Sequence, residues 1–414
     1  MRYNHLTVLL TLTFFAVIFM MACARPASQV PGKTFRDDLD FLKKHTKVIT
    51  ISSPDGQAMV AINPDLQGRV MTSTAVGPAG LSFGWINRDL IASGENNPHI
   101  NTFGGEDRFW LGPEGGQYSL FFKNGSPFDL DHWFTPVPIN EGGFDLVSQA
   151  DQQVVLKKEM SLVNYSNFEF KIKVDRTIRL LNREQVESLG LPLSDKLKWV
   201  AFHSDNQITN IGDTPWKKET GLVSIWILGM FNPSPETTIV IPFKPGPEEE
   251  LGPVVNDAYF GKVPADRLVV RDRVLFFKGD GQYRSKIGIS PRRVLPYLGS
   301  YDAANKVLTI VHLTLPENPA EHSYVNSMWE IQKDPYAGDV VNSYNDGPTT
   351  PGGKPLGPFY ELETSSPGAQ LNPGESLRHV HTTVHIQGEE KELDQIVRKI
   401  FGVTLEEIKT AFKK

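Results

Sequence analysis

Residues Phe168–Leu180 read FEFKIKVDRTIRL. From Phe168 to Asp175 the alternation is strict: Phe168, Phe170, Ile172 and Val174 against Glu169, Lys171, Lys173 and Asp175. Successive side chains of an extended chain point to opposite faces, so a period of two marks a strand with one buried and one wet face. A helix would space its apolar residues three and four apart. Upstream lie Asn164-Tyr165-Ser166-Asn167, a turn, and Gln153–Leu162, a second strand of similar length. Two such strands joined by a tight turn form an antiparallel pair with one covered face.

Working outward, the same signal recurs. Lys47–Ile51, Ala58–Ile62, Leu197–Phe202, Leu222–Leu228 and Thr238–Pro242 are rich in β-branched or aromatic residues. So are Arg267–Phe277, Lys286–Ile289, Val307–Leu315, Phe359–Thr364 and Arg378–Gln387. Turn chemistry separates them at Asp55-Gly56, Asn63-Pro64-Asp65, Asp280-Gly281, Asn345-Asp346-Gly347 and Asn372-Pro373-Gly374. Helix signals are few. Arg183–Leu189 is a short one. Glu390–Phe401 sets Leu393, Ile396, Val397 and Ile400 on one face and stops at Gly402; Thr404-Leu405-Glu406-Glu407 then reads as a capping box. The expected fold is all-β: one large antiparallel β-sandwich with a short C-terminal helical segment.

The chain has 42 basic and 48 acidic residues, a net charge of −6, which argues against nucleic acid as a partner. Its one cysteine excludes an internal disulfide framework and a Cys-based zinc site. No phosphate-binding or dinucleotide glycine motif and no nucleophile elbow is present. Leu6–Ala22 is an apolar run ending in Met20-Met21-Ala22-Cys23. This looks like a bacterial lipoprotein signal, with Cys23 lipidated after cleavage; an uncleaved membrane anchor is the alternative. The expected organisation is a signal peptide over 1–22, a tether over 23–40 and a single domain over 41–414. Ala24, rather than Asp, follows Cys23. The expected address is therefore the outer membrane or periplasm, with membrane contact through the lipid.

Three segments carry the chemistry: Gly104–Glu114 (GGEDRFWLGPE), Asn342–Gly347 (NSYNDG), and Phe359–Pro367 (FYELETSSP) followed by Leu371–Ser376 (LNPGES). Together they resemble an uncharacterised family of secreted bacterial lipoproteins in the galactose-mutarotase-like, or aldose 1-epimerase-like, superfamily. The resemblance runs from roughly Val48 to Val403. It implies a β-supersandwich with a sugar-binding cleft on one face, worked by a glutamate and a histidine as base and acid. No cofactor and no metal is expected. The expected function is an extracytoplasmic carbohydrate-active protein of mutarotase or epimerase type. A non-catalytic glycan-binding lipoprotein, or a polysaccharide lyase or glycosidase on the same fold, are the alternatives.

Glu361 and Glu363 are the expected catalytic carboxylates. Two apart on a strand, they share a face, and like charges close together raise one pKa. His203, at the end of an apolar strand, is the expected partner, with His99 and His132 as alternates. Arg108 is expected to bind substrate, since a guanidinium is a rigid fork of donors. Glu106 and Asp107 either orient it or bind hydroxyls themselves. Trp110 has the parity of Arg108 and offers a ring for a sugar's C–H face. Asn345 and Asp346 are cleft candidates or a plain turn, and Glu330 beside Trp329 is a further candidate. His379, His381 and His385 share one face of a strand. They start a metal site, with Glu361 or Glu363 as a third ligand, or form a polar sheet face, which is the reading adopted; His381 is counted as a substrate contact. Val380, Val384 and Ile386 mark the opposite face as core.

Overall fold

The computed structural model describes residues 34–348 and 352–413. The expected signal peptide, Cys23 and the tether up to residue 33 lie outside the described residues. The strand at Glu169–Leu180 pairs with Gln153–Val163 from Gln153↔Arg179 to Val163↔Glu169, as the alternation requires. Phe170, Ile172, Val174 and Ile178 are fully buried. Arg176 stands in the same row and is buried with them.

This pair belongs to a ten-stranded antiparallel sheet. Its order is Leu268–Val270, Val274–Lys278, Thr237–Pro242, Tyr297–Asp302, Val307–Leu313, Ser376–Gln387, Lys198–Asn210, Glu169–Leu180, Gln153–Val163 and Asp145–Ala150. Opposite lies a five-stranded sheet in the order Ser285–Ile289, Val341–Asn345, Tyr360–Ser365, Ser224–Phe231 and Arg108–Gly112. A three-stranded sheet of Ile49–Ser52, Met59–Asn63 and Arg69–Thr74 continues that layer. The two join through a bridge at Val70 and Asp107. Between the layers, Phe109, Leu111, Ile225 and Ile227 meet Val154, Phe170, Val174, Val200 and Phe202. Ile287, Ile289, Val341, Tyr360 and Leu362 meet Ile239, Ile241, Leu298 and Val311 further along.

The large sheet is covered on its outer face as well. Helices Glu390–Phe401 and Leu405–Lys409, the second opened by the Thr404–Glu407 capping box, close over it. Leu393, Ile396, Val397 and Phe401 pack on Val240, Leu308, Ile310, Val384 and Ile386. Leu393→Ala should cost about 2–5 kcal/mol, since the surrounding strands cannot collapse into the void. Urea unfolding checks this.

Three readings of the sequence need correction here. The tether does not extend to residue 40: Phe35–His45 is a helix, capped by Thr34, whose Phe35 and Leu39 bury against Ala61 of the three-stranded sheet. The charges at Arg36, Asp37 and Asp38 suggested linker, yet they leave the apolar stripe of Phe35, Leu39 and Leu42 intact. Arg267–Phe277 is two strands with a turn between them. Asn345, read with Asp346 and Gly347 as a turn or as a cleft residue, ends the buried strand Val341–Asn345.

Candidate functional site

The outer face of the five-stranded sheet is the floor of a cavity of about 300 Å³. Inward residues of these strands fill the core, so period two sends their alternates outward. Register aligns those alternates in rows. One row is Lys286, Tyr344, Glu361 and Met230. The next is Gly288, Asn342, Glu363, Leu228 and Arg108. A third sets Trp226 against Trp110.

Two ion pairs run diagonally between the first two rows, a span long side chains cover. Arg108 Nη2 donates to Glu361 Oε1 at 3.0 Å. Lys286 Nζ donates to Glu363 Oε2 at 2.9 Å, and the Trp226 indole N–H donates to the same oxygen at 2.9 Å. The Arg108 guanidinium lies 4.2 Å from the Trp110 ring centroid, and the Lys286 ammonium 4.7 Å from that of Trp226. Parity had placed Arg108 and Trp110 on one face, and there they stack.

Loops build the walls. Trp133, Trp329, His99 and Leu130 line one part, and Phe260, Leu356 and Phe359 another. Four of the chain's seven tryptophans therefore line one cavity. Met230, Tyr344, Phe359 and Trp85 pack together beneath the second wall. Asp346 accepts from the Tyr344 hydroxyl at 3.0 Å and from the Gly357 N–H at 2.9 Å, tying that loop to the floor.

Burial pushes the Glu361 carboxyl up from its ordinary 4.5 to about 8; Arg108 pulls it down, and Glu363 adds to the rise. Glu361 therefore holds a proton at neutral pH. Burial also raises Glu114, against the pull of Lys286. For Lys286 burial works against the charge, but Glu363, Glu114 and Glu361 outweigh it and hold the ammonium above its ordinary value. Burial lowers Arg108, and Glu361 opposes it. Around the cavity, Arg108 Nε, Trp110 Nε1, Trp133 Nε1 and Glu363 Oε1 are buried without a protein partner. Each such group costs about 1–3 kcal/mol unless something polar meets it.

Other expected residues sit elsewhere. His203 is on the ten-stranded sheet with its side chain opposite to inward-facing Val200 and Phe202, so the expected confrontation with Glu361 or Glu363 does not occur. Burial and Arg179 lower its pKa. Glu106 turns inward, where it accepts from Ser73 N–H and Oγ and meets His385 Nε2 at 3.0 Å. Asp107 also faces inward, bound by Arg176 Nη2 at 2.5 Å and Ser204 Oγ at 2.6 Å. Asn345 is buried, its amide donating to the Tyr283 carbonyl and its oxygen accepting from the Gly281 N–H. Glu330 is exposed, although its neighbour Trp329 lines the cavity. His132 is exposed beside Asp129.

The histidine row needs a fuller correction. His379, His381 and His385 face the interior and are buried. The face carrying Val384 and Ile386 is also covered, by the C-terminal helices. Thr364 Oγ1 meets His379 Nε2 at 2.8 Å and His381 Nδ1 at 2.9 Å. Burial lowers His379 to about 3 and His381 to about 4, so both are neutral. His381 does not reach the cleft. Among the described residues no group of three or more His, Cys, Asp or Glu side chains is arranged to hold a metal.

Reading the sequence missed Lys286, Glu114, Trp133, Trp226 and Arg284 as cleft residues. Lys286 had a usable signal: it stands between Ser285 and Ile287 in a buried strand, opposite in parity to Ile287 and Ile289. A lysine there needs a buried partner.

The chain is similar to several solved structures. One is a provisionally assigned aldose 1-epimerase from Escherichia coli K12, at 15% identity and TM-score 0.46, over 83% of this chain and 99% of that one. A protein from Synechocystis sp. PCC 6803 matches at 12% identity and TM-score 0.47, over 83% and 96%. A galactose mutarotase-like protein from Lactobacillus casei matches at 11% identity and TM-score 0.46, over 82% and 100%. No curated protein sequence matches. Residues 33–412 match the model of a family of unknown function, DUF6786, and the chain belongs to that family.

Proposed function

We propose that the protein binds a carbohydrate in this cleft and exchanges protons with it, as a sugar isomerase of the mutarotase type. One observation carries the reading: a buried carboxyl, Glu361, whose pKa burial raises to about 8, stands in a cavity lined by four indoles. Ring faces suit the C–H faces of a sugar, and the unpartnered N–H groups suit its hydroxyls.

Glu361 is the acid. His99 is the base: its Nδ1 lies 2.7 Å from the Trp133 carbonyl, which can only accept, so Nδ1 carries the proton and Nε2 is a bare acceptor. The ring is held by stacking on Phe134 at 3.9 Å. His99 Nε2 takes the proton of the anomeric hydroxyl as the bond from the anomeric carbon to the ring oxygen breaks. Glu361 gives its proton to the ring oxygen. Rotation of the resulting carbonyl and the reverse steps give the other anomer. Arg108 stays on Glu361 throughout and holds the carboxylate formed. The lipid anchor at Cys23 and an extracytoplasmic address are part of the same proposal.

Proton NMR of freshly dissolved anomers tests it. Faster approach to equilibrium with the protein is expected; no acceleration for any sugar overturns the isomerase. One observation favours a second reading, a glycan-binding protein: both floor carboxyls are already engaged by cationic side chains. It predicts selective line broadening without exchange.

A further inference from the structure

Each floor carboxyl has a cationic side chain as its partner, and the cavity carries one guanidinium outside those pairs. Arg284 lines it beside Phe260 and Tyr344. The guanidinium carbon lies 3.7 Å from the Phe260 ring centroid, and Phe260 meets Tyr344 edge-on at 6.0 Å. Arg284 Nε is buried without a hydrogen-bond partner. Among the described residues the ion pairs of the cavity join Arg108 to Glu361 and Lys286 to Glu363, and none includes Arg284. Of the carboxyls nearby, Glu114 feels its field, but burial and Glu363 favour the neutral acid there.

Stacking uses the flat face of a guanidinium and leaves its edge of N–H donors available. A planar group of two oxygens meets that edge through two parallel hydrogen bonds.

We propose that Arg284 selects a sugar bearing a carboxylate, a uronic acid, and holds that carboxylate at the Phe260 end of the cleft. The proposal rests on the carbohydrate reading above and narrows it. The fixed carboxylate then sets how the ring lies over Glu361 and which carbon meets it.

The test is calorimetric titration of the full chain with glucuronate, galacturonate, their neutral hexoses and glucose 6-phosphate. A uronate should bind about tenfold or more tighter than its hexose, the scale of a charge-assisted pair. That preference should shrink as salt rises. Arg284→Gln should erase the preference and leave hexose binding, while Arg284→Lys should keep part of it; melting curves confirm that both variants fold. Equal binding of uronate and hexose, or a preference that survives Arg284→Gln, overturns the assignment. So does tighter binding of the phosphate. Hexose binding without preference leaves the carbohydrate reading standing, and no binding of any sugar removes both.

Discussion

Glu361→Gln should slow anomeric exchange by about 10²–10⁴-fold, the usual contribution of a positioned proton donor. Glutamine keeps the shape and accepts from Arg108, so substrate affinity should change little. Wild-type exchange should fall as pH rises through about 8, where Glu361 gives up its proton. The stability consequence has the same sign. Below the ordinary value of 4.5 the group is protonated in folded and unfolded chains alike. Between 4.5 and about 8 the folded chain keeps a proton the unfolded chain has lost, so stability falls with rising pH over that window. Glu361→Gln should flatten that slope. Exchange rates and melting temperatures against pH check both; a variant with wild-type exchange would remove Glu361 from the mechanism.

Arg176→Met should cost about 3–5 kcal/mol, the scale for breaking a buried pair from one side. The guanidinium donates to the Gly68 carbonyl at 2.9 Å, Asn206 Oδ1 at 2.5 Å and Asp107 Oδ1 at 2.5 Å. It thereby pins the large sheet to the opposite layer at Asp107, the residue before Arg108. Methionine leaves Asp107 charged and buried, with Ser204 as its remaining donor. Adding Asp107→Asn should recover part of the loss. Urea unfolding of the wild type and the two variants decides it; a loss under about 1 kcal/mol would show that the pair breaks even with its desolvation.

Much of the fold could be read because its strands alternate cleanly. Glu169–Leu180 and the Glu390–Phe401 helix fall within a residue of their expected limits. Tyr297–Asp302 escaped notice because Gly299 interrupts it. That glycine is required: a Cβ there would run into the Thr309 carbonyl and the Phe401 ring. Asp145–Ala150 escaped because it is an exposed edge with no buried row. In the site, parity sufficed for Arg108, Trp110, Glu361 and Glu363. The expectation of His203 as the glutamates' partner across the cleft ignored its parity, which is opposite to that of Val200 and Phe202, the inward row. The histidine row misled because histidines were equated with solvent, whereas Thr364, Thr309 and Glu106 supply their partners inside. Lys286 and Glu363 are 77 positions apart, and Arg108 and Glu361 are 253; such pairings exist only after the strands have registered.

The floor stands on strands and the walls stand on loops, and this division separates what can be redesigned from what cannot. A floor residue is locked to its neighbours by the ladder, and a slip of one position in Tyr360–Ser365 would turn Glu361 and Glu363 into the core together. Trp133, Trp329, Leu356 and Phe260 carry no such obligation to the frame. A library confined to Trp329, Leu356 and Phe260, sparing His99 and the Trp133 carbonyl that orients it, would change which ligand is admitted while keeping the proton chemistry, so the scaffold lends itself to grafted specificity.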